Sequence, residues 1–112
     1  MSILTIEGTG SAGAIAVTGA VPAGASYRLI SVSVKFSTAP TTSENLTVTL
    51  DAAAGEEYDV ALDTINPSSY TMTSLVFVPD QEIILVGGDE IDVAFANTDA
   101  RQYGVVITFK RV

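Results

Sequence analysis

Apolar and polar residues alternate with a period of two along much of this 112-residue chain, and this period is typical of β-strands that bury one face and expose the other. The clearest alternation covers residues 27–36, 45–51, 90–96 and 105–110. No segment combines a 3.6-residue period with helix-capping residues. The pattern therefore predicts an all-β protein.

Shorter runs of the same kind cover residues 3–7, 14–18, 60–65, 73–78 and 82–86, and turn-forming Gly, Pro, Asn and Asp residues separate them. Eight or nine strands at this spacing predict a single antiparallel β-sandwich domain over residues 1–112. A jelly roll is the first expectation, and an immunoglobulin-like Greek key is the second. Residues 1–13 are the candidate for an extended N-terminal arm.

The alternation also predicts which side chains fill the space between the two sheets. A shift of one residue would turn every one of them toward solvent, so the pattern specifies the register. The predicted core residues are Ile30, Val32, Val34, Leu46, Val48, Leu50, Ile91, Val93, Phe95, Val105, Ile107 and Phe109. Polar neighbours such as Ser31, Thr47 and Asp92 are predicted to point outward.

Two segments are apolar at consecutive positions and do not follow the alternation. They comprise Leu75, Val76, Phe77, Val78, Ile83, Ile84, Leu85 and Val86. Because an antiparallel sheet usually has one face in water, a second covered face predicts either an interface with another subunit or central strands that a long loop crosses. On the first interpretation these eight are candidate interface residues, and a homo-oligomer is expected, with a symmetric dimer favoured.

The composition argues against several classes of function. The chain has no His and no Cys, so it contains neither a Ser-His-Asp triad nor a thiolate nucleophile, and enzyme activity is not expected. Its net charge of −8 disfavours nucleic acid and anionic membranes as partners. No apolar run approaches the roughly 20 residues of a membrane span, and the N-terminus lacks the features of an export signal.

Two groups of acidic residues raise the question of a calcium site. Neither has the spacing of a helix–loop–helix calcium loop. Glu56, Glu57 and Asp59 leave a loop-built site open, although solvated surface charge is the simpler explanation. We therefore predict no metal and no other cofactor.

Two longer stretches carry a resemblance to a known group of proteins. The first contains the sequence APTTSE at residues 39–44 and leads into the polar strand 45–51. The second, at residues 88–99, has the pattern GD-x-I-x-V-x-x-x-NTD and is followed by YGVVITF at 103–109. Together they resemble small virion proteins of tailed bacteriophages, among which the all-β proteins of this size are jelly-roll cement, staple or decoration subunits of the head.

This resemblance implies a non-enzymatic virion structural protein that decorates and stabilises the outside of a capsid by bridging its subunits. The implied partner is the major capsid protein, and the implied location is the capsid exterior after assembly in the host cytoplasm. Residues 37–44, 52–57 and the N-terminal arm are expected to reach neighbouring subunits, because loops and termini adapt to uneven surfaces.

The alternative function is that of a tail- or fibre-associated β-sandwich that recognises a host-surface glycan or protein. In that case the aromatic side chains of Tyr27, Tyr58, Tyr70 and Tyr103 are candidate contacts. The residues themselves do not distinguish a head protein from a tail protein, since both can share the same arrangement of strands.

Overall fold

The computed structural model describes residues 3–112, and this part of the chain contains nine β-strands. The strands are β1 (Ile3–Gly10), β2 (Ile15–Ala20), β3 (Ser26–Phe36), β4 (Leu46–Asp51), β5 (Val60–Ile65), β6 (Ser74–Phe77), β7 (Ile84–Val86), β8 (Glu90–Phe95) and β9 (Tyr103–Arg111). Two short 3-10 helices, Glu56–Tyr58 and Pro67–Tyr70, lie on either side of β5. The prediction of an all-β protein is confirmed.

The strands form two antiparallel sheets that make a β-sandwich. Sheet A has the order β1-β9-β3-β6, with β7 also paired to β3, and sheet B has the order β2-β8-β4-β5. On the edge of β3 that β9 leaves free, β6 pairs with residues 32–35 and β7 with residues 26–28. Since β6 and β7 are thus two halves of one edge strand, the sandwich has eight strand positions, and their order is that of a jelly roll, as predicted.

The N-terminal segment is a regular strand. Residue by residue, β1 pairs with β9, from Ile3 opposite Lys110 to Gly10 opposite Tyr103. Leu4 and Ile6 pack against the core, while Ile3, Thr5 and Glu7 face outward. The prediction of an extended arm is therefore wrong for residues 3–10, because their alternation lets them complete one edge of sheet A. Residues 1 and 2 of that predicted arm lie outside the described residues.

The hydrophobic core lies between the two sheets, where the alternation placed it. Ten of the twelve predicted core residues are buried, and Leu50 packs against them. Phe36 of sheet A meets Phe95 of sheet B edge-on, with their ring centroids 5.5 Å apart. Such edge-to-face contacts between aromatic rings stabilise the packing of one sheet on the other.

Ile30 is the predicted core residue that does not belong to the core. The pairing of β3 with β9 passes from Leu29 directly to Ser31, so Ile30 is an extra residue in a β-bulge. A bulge moves the inward positions by one residue. Tyr27 and Leu29 therefore face the core before the bulge, and Val32 faces it afterwards.

Candidate interaction surfaces

The candidate interface residues lie on the outer edge of sheet A, in β6, β7 and the connection between them. Leu85 is fully buried, and Leu75, Phe77 and Ile83 pack against the core. An interface role for Leu85 is therefore a wrong prediction, because its side chain is part of the fold. The interpretation as central strands is wrong as well, since β6 and β7 pair with β3 alone among the strands of residues 3–112.

The other four candidate residues point away from the core and form what we call the apolar strip. Val76, Val78, Ile84 and Val86 are 61%, 61%, 41% and 53% exposed. Full burial of an aliphatic side chain contributes roughly 1.5–3 kcal/mol, so covering each half-exposed member contributes about 1 kcal/mol. The strip also borders a sheet edge without a strand partner in the described chain. This combination is typical of a surface that another protein covers.

Three carboxylates meet on the outer face of sheet B and form what we call the carboxylate cluster. Asp51 at the end of β4 lies opposite Glu90 of β8, and Asp92 lies two residues further along the same face. Oxygen atoms of the three groups lie within 4.8 Å of one another. No local sequence pattern reveals this cluster, because the β4–β8 register brings together residues that are far apart in the chain.

The environment of the carboxylate cluster favours protonation. Burial raises the pKa of Glu90 and of Asp92 above their ordinary values of 4.5 and 3.8, and repulsion from Asp51 acts in the same direction on both. A hydrogen bond with Thr18 acts in the opposite direction on Asp92. One Asp92 oxygen is shielded from solvent and has no hydrogen-bond partner. Oxygen atoms in this arrangement suit a hard cation or a cationic side chain.

The acidic loop considered for calcium has a structural role. The Ala52 amide donates a 2.8 Å hydrogen bond to a carboxylate oxygen of Asp59, and the Asp59 amide closes the short helix by donating to the Glu56 carbonyl. Glu56 and Glu57 are exposed. Within residues 3–112, Glu56, Glu57 and Asp59 do not converge into a metal-ligating group.

The two stretches that carry the phage resemblance contact each other at one end of the sandwich. A single Asp99 oxygen accepts hydrogen bonds from the amides of Thr41, at 2.7 Å, and Thr42, at 2.9 Å. Glu44 in turn accepts from the Thr98 amide at 2.8 Å and from its hydroxyl at 2.7 Å. The bonds to Asp99 lower the pKa of its carboxyl to about 2. We call this pair of contacts the end clamp.

Asn97 holds the chain beside the end clamp. Its buried amide donates to the carbonyls of Gly13, at 2.8 Å, and Arg101, at 2.9 Å, and accepts from the Arg101 amide at 3.0 Å. Its φ of 53° lies in the left-handed region that Asn tolerates better than most residues. The end clamp ties residues 41–44 to the sandwich through Thr98 and Asp99, so residues 41–44 are not the adaptable loop expected from the sequence.

The tyrosines do not share one surface. Tyr27 is buried in the core, and the Tyr103 hydroxyl lies 3.4 Å from the Ala14 carbonyl. Tyr58 and Tyr70 are 58% and 69% exposed in separate short helices. The described residues therefore contain no tyrosine cluster that resembles a glycan platform.

Comparisons with known proteins add little to this geometry. No protein-family model matches the sequence, and no curated protein matches it. The crystal structure of FLHE aligns over 97% of this chain and 96% of its own, with 14% identity and a TM-score of 0.39, and a likeness of that size carries no inference. Within residues 3–112, no helix has the length and apolar character that crossing a membrane requires.

Proposed function

We propose that this protein is a non-enzymatic structural subunit of a tailed bacteriophage, which decorates the outside of the capsid and bridges copies of the major capsid protein. The apolar strip is the observation that carries the proposal. Its four half-exposed aliphatic side chains adjoin a sheet edge that has no strand partner in the described chain. A free molecule leaves this surface in water, whereas an assembled particle covers it.

The edge formed by β6 and β7 offers two kinds of contact to a capsid subunit. An extended segment of that subunit can pair with the free backbone groups as an added strand, and its apolar side chains can cover the strip. At about 1 kcal/mol for each covered side chain, the strip contributes about 4 kcal/mol to binding. Capsid subunits must lose this binding free energy before they separate, so the bound protein stabilises the shell.

The charge of the protein supports a position on the outer surface. With a net charge of −8 and a carboxylate cluster on one face, the molecule is repelled by packaged DNA on the inside of the shell. The lack of His and Cys in the sequence supports a structural role over an enzymatic one. The resemblance of the end-clamp segments to small phage virion proteins points to the same assembly.

Capsids that lack this protein, from the phage that encodes it, test the proposal. We expect the purified protein to co-sediment with them and to raise the temperature at which they release DNA to an added dye. Combining Val76→Ser with Val78→Ser removes about 2 kcal/mol of apolar contact, which weakens binding roughly 25-fold. Val60→Ser, which alters a 48% exposed valine of β5 in the other sheet, is the control for the loss of one exposed valine and should bind like the wild type.

Two results would contradict the proposal. One is unchanged heat resistance of heads that lack the protein. The other is immunogold labelling at the tail, which would favour the tail- or fibre-associated β-sandwich.

A further inference from the structure

The outer face of sheet A carries most of the positive charge of the chain. Arg28, Lys35 and Lys110 alternate with buried neighbours and point outward, and they are three of the five Lys and Arg residues. Arg28 and Lys110 lie directly opposite each other in the β3–β9 register, a position in which like charges repel. We call these two the cation pair. A Glu82 oxygen lies 3.9 Å from an Arg28 nitrogen, so it offsets at most one of the two charges.

The outer face of sheet B has the opposite character. It presents the carboxylate cluster, and strands β2, β4, β5 and β8 contain no Lys or Arg. The surrounding outward positions hold small residues, such as Thr18, Thr49 and Ala94. Small side chains leave a flat surface, which allows another sheet face to approach the carboxylates closely.

The two charged groups occupy corresponding places on their sheets. The cation pair lies on β3 and β9, the middle strands of sheet A, and the carboxylate cluster lies on β4 and β8, the middle strands of sheet B. Both are at the same end of the sandwich, because Ala20, which pairs with Glu90, is followed by the short connection that leads to the beginning of β3. A second copy stacked in the same orientation therefore brings its carboxylate cluster over the cation pair.

We propose that this protein associates head to tail with further copies of itself, the carboxylate cluster of one copy docking on the cation pair of the next. A two-fold axis through either face would place like charges against like charges, so the symmetric dimer expected from the sequence does not fit these faces. A head-to-tail contact leaves one unoccupied face at each end, so copies add one after another.

This contact adjoins the capsid contact proposed above, because Ile84 of the apolar strip lies opposite Arg28 in the pairing of β3 with β7, but the two contacts rest on different residues and have different tests. The head-to-tail contact uses the middle strands of both sheets, whereas the capsid contact uses the edge of sheet A. Purified protein alone tests the head-to-tail contact, so its failure would leave the capsid proposal standing, and failure of the capsid proposal would leave this one standing.

Sedimentation equilibrium of the full chain, in a buffer that contains EDTA to remove metal ions, tests the association. At about 0.15 M salt, where the Debye length of about 8 Å screens the repulsion between whole molecules of net charge −8 more than the close contact between the two charged faces, we expect the average mass to rise with concentration from 11.6 kDa to beyond the mass of a dimer. At about 1 M salt, where the Debye length is about 3 Å and the contact itself is screened, the association constant should fall by roughly threefold or more. A mass that stays monomeric into the millimolar range, or levels off at a dimer, overturns the proposal.

Charge-reversal variants test which residues make the contact. Arg28→Glu with Lys110→Glu, and separately Asp51→Lys with Glu90→Lys, should each abolish self-association. An equal mixture of the two double variants should associate, because each then supplies the intact face that the other lacks. Folding damage in either variant would not be repaired by mixing, and thermal melts check it independently. A mixture that stays monomeric, or a double variant that associates like the wild type, overturns the proposal.

A matched pair of single variants separates the cation pair from net charge. Lys110→Glu and Lys35→Glu make the same change on the same face, but Lys35 lies far along β3, opposite Gly104. We expect Lys110→Glu to weaken association roughly tenfold and Lys35→Glu to leave it nearly unchanged. Equal losses would show that overall charge governs the association, which overturns the proposal.

Discussion

Replacing Asn97 with alanine should remove a large part of the stability of the fold. The side chain is 3% exposed and makes three hydrogen bonds with Gly13 and Arg101. A neutral hydrogen bond contributes about 1 kcal/mol net, so losing three costs about 3 kcal/mol. Alanine at a φ of 53° adds about 1 kcal/mol, because the left-handed region crowds its Cβ. We therefore expect the free energy of unfolding to fall by about 4 kcal/mol.

Urea titration followed by circular dichroism measures this change through the midpoint and slope of the transition. In a thermal melt, about 4 °C for each kcal/mol predicts a midpoint about 15 °C lower. Asn66→Ala is the matched control. Asn66 also makes three side-chain hydrogen bonds, accepting from the amide and hydroxyl of Ser68 and donating to the Ser43 hydroxyl. Its side chain is only half-buried and its φ of −98° is unstrained, so water can replace the lost partners and the substitution should cost about 1 kcal/mol. An Asn97→Ala variant no less stable than Asn66→Ala would refute the reasoning.

Three further predictions concern pH and packing. The pKa of Asp99 is lowered to about 2 from 3.8, so its stabilising contribution is complete above pH 3.8 and is lost as the pH falls toward about 2. Asp99→Asn should therefore reduce the loss of unfolding free energy that urea titrations measure as the pH is lowered through this range. An unchanged pH dependence would contradict this. Burial raises the pKa of Glu90 above 4.5, so its contribution to the free energy of unfolding is present below that pH and is lost as pH rises. Glu90→Gln should therefore stabilise the protein at about pH 7 and not at about pH 3. Equal effects at the two pH values would count against this reasoning. An added Cβ at Gly87 would lie 2.7 Å from the backbone of Ala23, so Gly87→Ala should cost about 1–3 kcal/mol in the same titration, whereas Gly104→Ala, with no atom within 4 Å, should cost much less.

The strands could be predicted because most of them have one buried and one solvated face. Leu46 and Val48 are buried where their alternation with threonine places them. The displacement of Ile30 could not be predicted, because Leu29 and Ile30 are both apolar and either can occupy the inward position. The bulge becomes visible only from the pairing of β3 with β9.

The interaction surfaces were harder to predict, because they depend on contacts between distant segments. The composition of β6 and β7 shows that both faces of these strands are apolar. Which face is buried depends on their position at the edge of sheet A, where Leu85 faces the core and Val86 is exposed. The carboxylate cluster requires the β4–β8 register. The end clamp likewise joins Thr42 to Asp99 across the chain, and no local pattern reveals that contact.

A density map of the phage particle, at a resolution that shows strands, tests the central claim most directly. The proposed function predicts this jelly roll on the outer surface of the head, with the edge formed by β6 and β7 against the major capsid protein and the apolar strip covered. A map that placed the molecule on the tail, on the DNA-facing side of the shell, or with that edge in solvent would contradict the claim.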